Sequence, residues 1–243
     1  MKNFLQTTQI VNYSEVDVAY RLRYDSILSI FQKITLMHST ELKVDAPSLL
    51  KNSNAFWVLC KSKFKINRLP IMNDQLTLKT WPTVVTPLRF YREYVISCNE
   101  NEDIVGTSEW CTFDYTTRTV RRSNTIAYPY DMEHITKSSG AGDYSKKREA
   151  VGDCDFSHSH VSKFVDVDPN NHTNNVAYVR MALDTFSPDE FINIDFTEFE
   201  IYFNNQSYYG DKINIYRKKT DYGYYVEGKI LDKTIFTAIF KTK

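Results

Sequence analysis

Residues 165–178 read Val165-Asp166-Val167-Asp168-Pro169-Asn170-Asn171-His172-Thr173-Asn174-Asn175-Val176-Ala177-Tyr178, and this stretch decides how the rest of the chain is interpreted. The β-branched and aromatic residues of His160–Val167 predict a strand before it. Apolar side chains at helical spacing predict a helix from about Val176 to Phe186 after it. The Asn-rich loop therefore carries an acid, amides and an imidazole to a helix N-terminus, where free N–H groups favour negative charge.

The overall composition excludes several classes of protein. The 30 Lys+Arg balance the 30 Asp+Glu, so nucleic acid is not the expected partner. No apolar run approaches the ~18 residues of a membrane span, and the N-terminus lacks the apolar segment of a signal peptide. The four cysteines show neither pairing nor metal-ligand spacing. We expect a cytoplasmic protein with no metal and no cofactor, and the oligomeric state stays open, with a homodimer as one candidate.

The chain contains two similar blocks, each with one helix followed by four strands. The first block has a predicted helix at 24–38 and strands at 56–66, 74–81, 90–98 and 106–115; the second has a helix at 176–186 and strands at 195–203, 211–216, 223–231 and 234–241. This order predicts an α+β fold of two related halves. We assign the halves to 1–130 and 157–243, with a solvated linker at 131–156.

The central loop resembles a known motif. Acyl-acyl carrier protein thioesterases, known from plant plastids and bacteria, carry an Asp-x-Asn-x-His run followed by Asn-Asn and, after two intervening residues, Tyr. Here the run stands as Asp168 to Asn175 with Tyr178, and the first half agrees at Lys65–Pro70, Asp74 and Thr80-Trp81-Pro82. The resemblance extends over most of the chain. It implies a tandem (double) hotdog fold, an antiparallel sheet wrapped around a central helix in each half, with the acyl chain held by the first half and the chemistry in the second.

One position departs from the family pattern. Members carry a glutamate on the strand after the motif, shortly before a Gly-Asp turn, and in plant members a cysteine follows it. Counting back from Gly210-Asp211, the matching residues here are Gln206 and Ser207. Gln accepts no proton at neutral pH, and Ser is a far poorer nucleophile than a thiolate unless a base activates it. A covalent cysteine mechanism is therefore not expected.

The expected reaction is hydrolysis of a fatty acyl thioester on acyl carrier protein. Asp168 and His172 would activate water. Asn170 would orient the thioester or the water, and Gln206 would position a ligand through its amide. The backbone N–H groups of Asn174, Asn175 and Val176 would stabilise the oxyanion.

Another reading assigns the loop to structure alone. Asn and Asp commonly satisfy backbone groups before a helix, with Thr173 or Asn174 as the N-cap. Two other functions also stay open. A thioesterase acting on coenzyme A esters would need a phosphate-binding patch, and a non-catalytic acyl-binding protein is favoured by Gln206. The sequence does not reveal the preferred chain length or saturation.

The expected partner is an acyl carrier protein with its phosphopantetheine-linked acyl chain. Because this partner is acidic, its docking surface should be basic. Three basic clusters are candidates: Lys61, Lys63 and Lys65, alternating on one predicted strand; Arg118, Arg121 and Arg122; and Lys146-Lys147-Arg148 in the linker.

Overall fold

A computed structural model gives the structure of residues 3–130, 135–145 and 153–243. Within these ranges eleven strands form one sheet and four α-helices pack with it. The strands are β1 (Leu5–Ile10), β2 (Ala55–Ile66), β3 (Gln75–Val85), β4 (Phe90–Cys98), β5 (Asn101–Asp114), β6 (Val120–Arg121), β7 (Asp155–Val161), β8 (Phe196–Phe203), β9 (Lys212–Thr220), β10 (Gly223–Ile230) and β11 (Lys233–Thr242). The helices are α1 (Tyr24–Glu41), α2 (Ala46–Ser53), α3 (Asn175–Leu183) and α4 (Pro188–Ile192). None of these helices is long and apolar enough to cross a membrane.

The sheet repeats one arrangement twice. Its strand order is β1-β3-β4-β5-β2-β8-β11-β10-β9-β7, with β6 paired to β5 off this path. The first five strands therefore correspond, in reverse order along the sheet, to β7, β9, β10, β11 and β8. The two halves meet where β2 pairs antiparallel with β8, from Lys61 opposite Tyr202 to Lys65 opposite Glu198. The predicted duplication of an α+β unit is confirmed.

Each half packs one central helix against the sheet. In the first half the Phe31 ring of α1 stacks on Tyr94 of β4, with 4.1 Å between ring centroids. Gly106 of β5 makes room for this ring, because a Cβ there would lie 2.4 Å from a Phe31 ring carbon. In the second half α3 buries Val176, Val179 and other apolar residues, and it contacts α1. This architecture is the expected tandem hotdog fold.

The predicted strand His160–Val167 is wrong in its position. Strand β7 pairs with β9 and ends at Val161, and Phe164–Asp166 form a 3-10 turn instead. The turn is stabilised by the Asp166 carboxylate, which accepts from the backbone N–H of Lys163 at 2.9 Å. Phe164 is 86% exposed, so its aromatic side chain contributes to no sheet face.

The predicted linker is only partly solvated in its described part, 135–145, where most residues are exposed but Ser139 and Ala141 are buried. Residues 135–145 lie across the sheet face opposite the helices, and Ala141 is fully buried there. Trp81 donates its indole N–H to the carbonyl of Lys137 at 2.9 Å, and Lys63 donates to the carbonyl of Asp143 at 2.7 Å. The segment covers polar groups of the sheet with its own backbone. Its continuation, with the Lys146-Lys147-Arg148 cluster, lies outside the described residues.

Candidate active site

The loop Asp168–His172 is closed by its backbone and by one carboxylate. The Asp168 N–H donates to the carbonyl of His172, and the Asn171 N–H donates to the carbonyl of Asp168, each at 2.9 Å. Asp168 Oδ1 accepts from the backbone N–H of Asn170 at 2.8 Å and of His172 at 3.3 Å. Its Oδ2 lies 3.5 Å from the Asn170 side-chain amide nitrogen. One oxygen of Asp168 therefore holds the loop, and the other faces Asn170.

Asn174 is the N-cap of α3, and Thr173, the other predicted N-cap, is not. Its side-chain oxygen accepts from the Val176 N–H at 2.8 Å, and its own N–H donates to the carbonyl of Asp166 at 2.7 Å. The prediction that these amides stabilise an oxyanion is therefore wrong for Asn174 and Val176, because the Asp166 carbonyl and the capping side chain of Asn174 already accept from these two N–H groups. Of the three, only the Asn175 N–H has no acceptor among the described residues.

His172 is half-buried and lies against Tyr208, with 5.2 Å between ring centroids in an edge-to-face arrangement. Burial lowers its pKa below the ordinary value of 6.5; the Asp168 carboxylate opposes this shift and the Arg118 guanidinium adds to it. The imidazole is therefore neutral at neutral pH, as a general base requires. Among the described residues no hydrogen bond joins this ring to the Asp168 side chain, so the two act through charge and not as a bonded pair.

Gln206 lies beside the loop, and in the part of the chain that the structure describes its side chain makes no hydrogen bond to the loop. The Thr173 N–H donates to the carbonyl of Ser207 at 2.8 Å, which holds the segment after β8 alongside His172. Gln206 itself is exposed. The structure thus brings Asp168, Asn170 and His172 into one loop, with the exposed Gln206 in the adjacent segment.

Two family models match this chain. The acyl-ACP thioesterase N-terminal domain matches residues 2–126, and the acyl-ACP thioesterase C-terminal domain matches residues 149–234. The chain belongs to the acyl-ACP thioesterase family. The resemblance seen in the loop motif is confirmed, and the C-terminal match contains both the loop and Gln206.

Two curated plant relatives align with most of the chain. The chloroplastic acyl-[acyl-carrier-protein] hydrolase FATB3 of Cuphea viscosissima is 24% identical over 203 residues, which are 78% of this chain and 48% of the relative. The chloroplastic oleoyl-acyl carrier protein thioesterase of Coriandrum sativum is 22% identical over 192 residues, 72% of this chain and 52% of the relative. The chain spans about half the length of the curated relatives it matches.

Solved structures resemble both halves together. An acyl-ACP thioesterase from Bacteroides thetaiotaomicron has a TM-score of 0.89 at 17% identity, covering 99% of this chain and 98% of its own. The 12:0-ACP thioesterase from Umbellularia californica has a TM-score of 0.83 at 12% identity, covering 100% and 98%. At these identities the likeness shows the fold.

The first predicted docking cluster is not a free surface. Lys63 is only 3% exposed and lies 3.0 Å from Glu198 and 3.4 Å from Glu200, under the segment 135–145. Lys61 is paired with Glu109 at 2.7 Å, and Lys65 lies 3.9 Å from Glu198. The docking prediction is wrong for Lys63, because a buried and paired ammonium presents no charge to a partner.

The arginines of the second predicted docking cluster differ in exposure. Arg121 is committed to the protein, since it donates to the carbonyls of Ser53 and Thr125. Arg122 and Arg118 are exposed. The Arg118 guanidinium lies over Phe56 and Tyr115, 5.1 and 4.9 Å from the ring centroids. Arg118 is thus an exposed first-half cation whose charge also lowers the pKa of His172.

Sequence reasoning missed two sets of residues beside the loop. His160 was assigned no role, yet its Nε2 lies 2.8 Å from the buried carboxylate of Asp166. Four buried hydroxyls also lie under the loop, those of Ser162, Thr173, Tyr178 and Ser207. Aligning the two halves on Asp17 and Asp168 reveals three of these hydroxyls, and aligning them on Asp74 and Asp211 reveals that of Ser207, because the first half has apolar residues at all four positions.

Proposed function

We propose that the protein hydrolyses the thioester of fatty acyl-acyl carrier protein and releases a free fatty acid. The observation that carries the proposal is the Asp168–His172 loop at the N-terminus of α3, in a chain of this family. The plant relatives are named for hydrolysis of acyl-acyl carrier protein. We extend that activity to this chain because the loop supplies an acid, an amide and a neutral imidazole at one place.

The chemical step starts with His172. Its lowered pKa keeps the imidazole neutral, so it accepts a proton from water as the water oxygen bonds to the thioester carbonyl carbon. The carbonyl electron pair moves onto oxygen and forms a tetrahedral oxyanion. When the C–S bond breaks, the departing thiolate of the phosphopantetheine arm takes that proton back from His172. The Asp168 carboxylate favours the transient imidazolium through its charge.

Amides orient the reactants around this base. The exposed Asn170 side chain can donate to the thioester carbonyl or hold the attacking water, since Asp168 Oδ2 keeps it near the loop. The Asn175 N–H is the backbone donor left for the oxyanion, and a well-placed donor of this kind contributes ~3 kcal/mol in the transition state. Gln206 positions the ligand from the adjacent segment.

The carrier protein would dock on the exposed first-half arginines that follow β5, Arg118 and Arg122. Arg118 is pre-organised by its two aromatic neighbours, and its charge acts on the His172 imidazole. Arg118→Glu should therefore slow association with the acidic carrier and lower kcat/KM about tenfold at low salt, with a smaller loss at high salt. Equal kcat/KM for Arg118→Glu and wild type at low salt would contradict this docking site. We assign the reaction to the cytoplasm, which the four free cysteines support.

The substrate class is tested by a matched panel. Acyl carrier protein and coenzyme A esters of the same fatty acids are compared for kcat/KM with the purified protein. The proposal predicts higher kcat/KM for carrier esters at every chain length that is hydrolysed. Preference for coenzyme A esters would contradict the carrier assignment, and tight acyl binding without product would favour an acyl-binding protein.

A further inference from the structure

The loop of the second half has a counterpart with the same hydrogen bonds in the first half. The Asp17 N–H donates to the carbonyl of Arg21 at 2.8 Å, and the Tyr20 N–H donates to the carbonyl of Asp17 at 3.0 Å. Asp17 Oδ1 accepts from the N–H groups of Ala19 and Arg21, both at 2.9 Å. Asp17–Arg21 therefore corresponds residue by residue to Asp168–His172.

The neighbouring segments correspond as well. The Leu22 N–H donates to the carbonyl of Pro70 at 2.8 Å, as the Thr173 N–H donates to Ser207 at 2.8 Å. The Val11 N–H donates to the carbonyl of Asp74, as the Ser162 N–H donates to Asp211. Counting four residues from each N-cap, Arg23 and Asn174, pairs Ile27 with Tyr178. Four positions in the first half therefore have structurally equivalent positions in the second half.

These four positions differ in one consistent way. In the first half they are Val11, Leu22, Ile27 and Pro70, all buried and apolar. In the second half they are Ser162, Thr173, Tyr178 and Ser207, all buried and all bearing a hydroxyl. Since the apolar set supports the same backbone, the fold of the loop does not require hydroxyls.

The four hydroxyls form one continuous chain. Ser162 Oγ lies 2.9 Å from Thr173 Oγ1, and Ser207 Oγ donates to Thr173 Oγ1 at 2.8 Å. The Tyr178 hydroxyl lies 2.9 Å from Ser207 Oγ and accepts from the Ser207 N–H at 3.2 Å. Burial raises the pKa of Tyr178, so its phenol stays protonated. Each of the four hydroxyls is therefore hydrogen-bonded to another member of the set.

We propose that this hydroxyl chain is a positioning device that sets the spacing between His172 and Gln206. Thr173 follows His172 and Ser207 follows Gln206, so the bond between their hydroxyls joins the two segments next to the reacting side chains. Apolar packing has no preferred direction, whereas a hydrogen bond fixes distance and angle. The inference rests on the proposed function and deepens it, because Ser162, Thr173, Tyr178 and Ser207 act through their neighbours and touch no substrate.

The test compares two replacements of one residue. Thr173→Val removes the hydroxyl at nearly equal volume, and Thr173→Ser keeps it. We expect Thr173→Val to lower kcat about 10- to 100-fold with little change in KM, because small displacements near the reacting atoms have effects of this size. Thr173→Ser should retain most of the activity. Equal kcat for the two variants would overturn the proposal.

A control and a second variant exclude a general folding defect. Thr112 of β5 has a buried hydroxyl with no partner among the described residues, so Thr112→Val removes a buried hydroxyl outside the chain and should leave kcat unchanged. Tyr178→Phe removes the hydroxyl at the end of the chain and keeps the aromatic ring. It should lower kcat by as much as Thr173→Val. It therefore tests the proposal independently if Thr173→Val folds poorly. Tyr178→Phe with wild-type kcat would overturn the proposal.

An NMR titration of His172 separates this inference from the proposed function. It needs no turnover, and in Thr173→Val we expect the pKa of His172 to rise as its ring gains contact with water, with no change in Thr112→Val. An unchanged titration in Thr173→Val contradicts the positioning role. Wild-type protein that hydrolyses no thioester contradicts the proposed function instead.

Discussion

The loops Asp17–Arg21 and Asp168–His172 share one backbone conformation and one pattern of carboxylate hydrogen bonds. Only the second loop carries an amide and an imidazole, at Asn170 and His172, where the first has Ala19 and Arg21. The hydrogen bonds of Asp168 to the backbone are therefore a property of the fold and not of the chemistry. What distinguishes the second half is the set of side chains placed on the same frame.

The same comparison explains the His160–Asp166 pair. In the first half Gln9 donates to Glu15 at 2.7 Å in the corresponding place, and each acid also accepts from the backbone N–H that starts its 3-10 turn, Asn12 or Lys163. A pair present in both halves has a structural role. Because the chain is duplicated, residues of the second-half loop can be compared with the equivalent residues of the first-half loop.

The largest expected effect separates His172 from its counterpart. His172→Ala should lower kcat by at least ~10²-fold, because it removes the proposed general base. Arg21→Ala should leave kcat within about twofold of wild type, because Arg21 lies in the first-half loop, which carries no proposed catalytic group, and its partly buried ion pair with Asp17 bears on stability alone. Both effects are measured as kcat with a fatty acyl-acyl carrier protein as substrate. Near-normal kcat in His172→Ala would contradict the assignment of the base.

The next comparison removes the carboxylate from each loop. Asp17→Ala and Asp168→Ala should each lower the free energy of unfolding by about 1–2 kcal/mol, because each removes two hydrogen bonds to backbone N–H groups. Only Asp168→Ala should also lower kcat. Thermal unfolding and turnover, measured on the same samples, check this. Equal loss of activity in both variants would mean that the carboxylates act through stability alone.

The smallest expected effects are opposite shifts of the pH profile. Burial and Arg118 lower the pKa of His172, whereas Asp168 raises it. Arg118→Ala should therefore raise this pKa and move the acid limb of kcat/KM to higher pH, and Asp168→Ala should move the limb of its residual activity to lower pH. If the acid limb moved in the same direction in both variants, a group other than His172 would control it.

Much of the fold follows from apolar periodicity. The patterns at 24–38 and 176–186 correctly indicated α1 and α3, and those at 90–98 and 223–231 indicated β4 and β10. Strand β7 was misplaced because Phe164 and Val165 have strand composition but stand exposed on a turn. Composition does not reveal the carboxylate of Asp166 that caps this turn.

The sequence indicates the loop of the candidate site but not its hydrogen bonds. The motif identified the loop, but which amides remain free depends on which acceptors the fold brings to them, as at Asn174 and Val176. The alternation of side chains along a strand correctly indicated that Lys61, Lys63 and Lys65 lie on one face of β2. It could not show that residues 135–145 cover that face and bury Lys63.

The most direct test of the account is the product formed from a fatty acyl-acyl carrier protein in ¹⁸O-labelled water. The account predicts that the purified protein releases free fatty acid with one labelled oxygen in its carboxylate, together with carrier protein that bears a free thiol. Intact acyl carrier protein held in a stable complex, with no labelled acid, would contradict it.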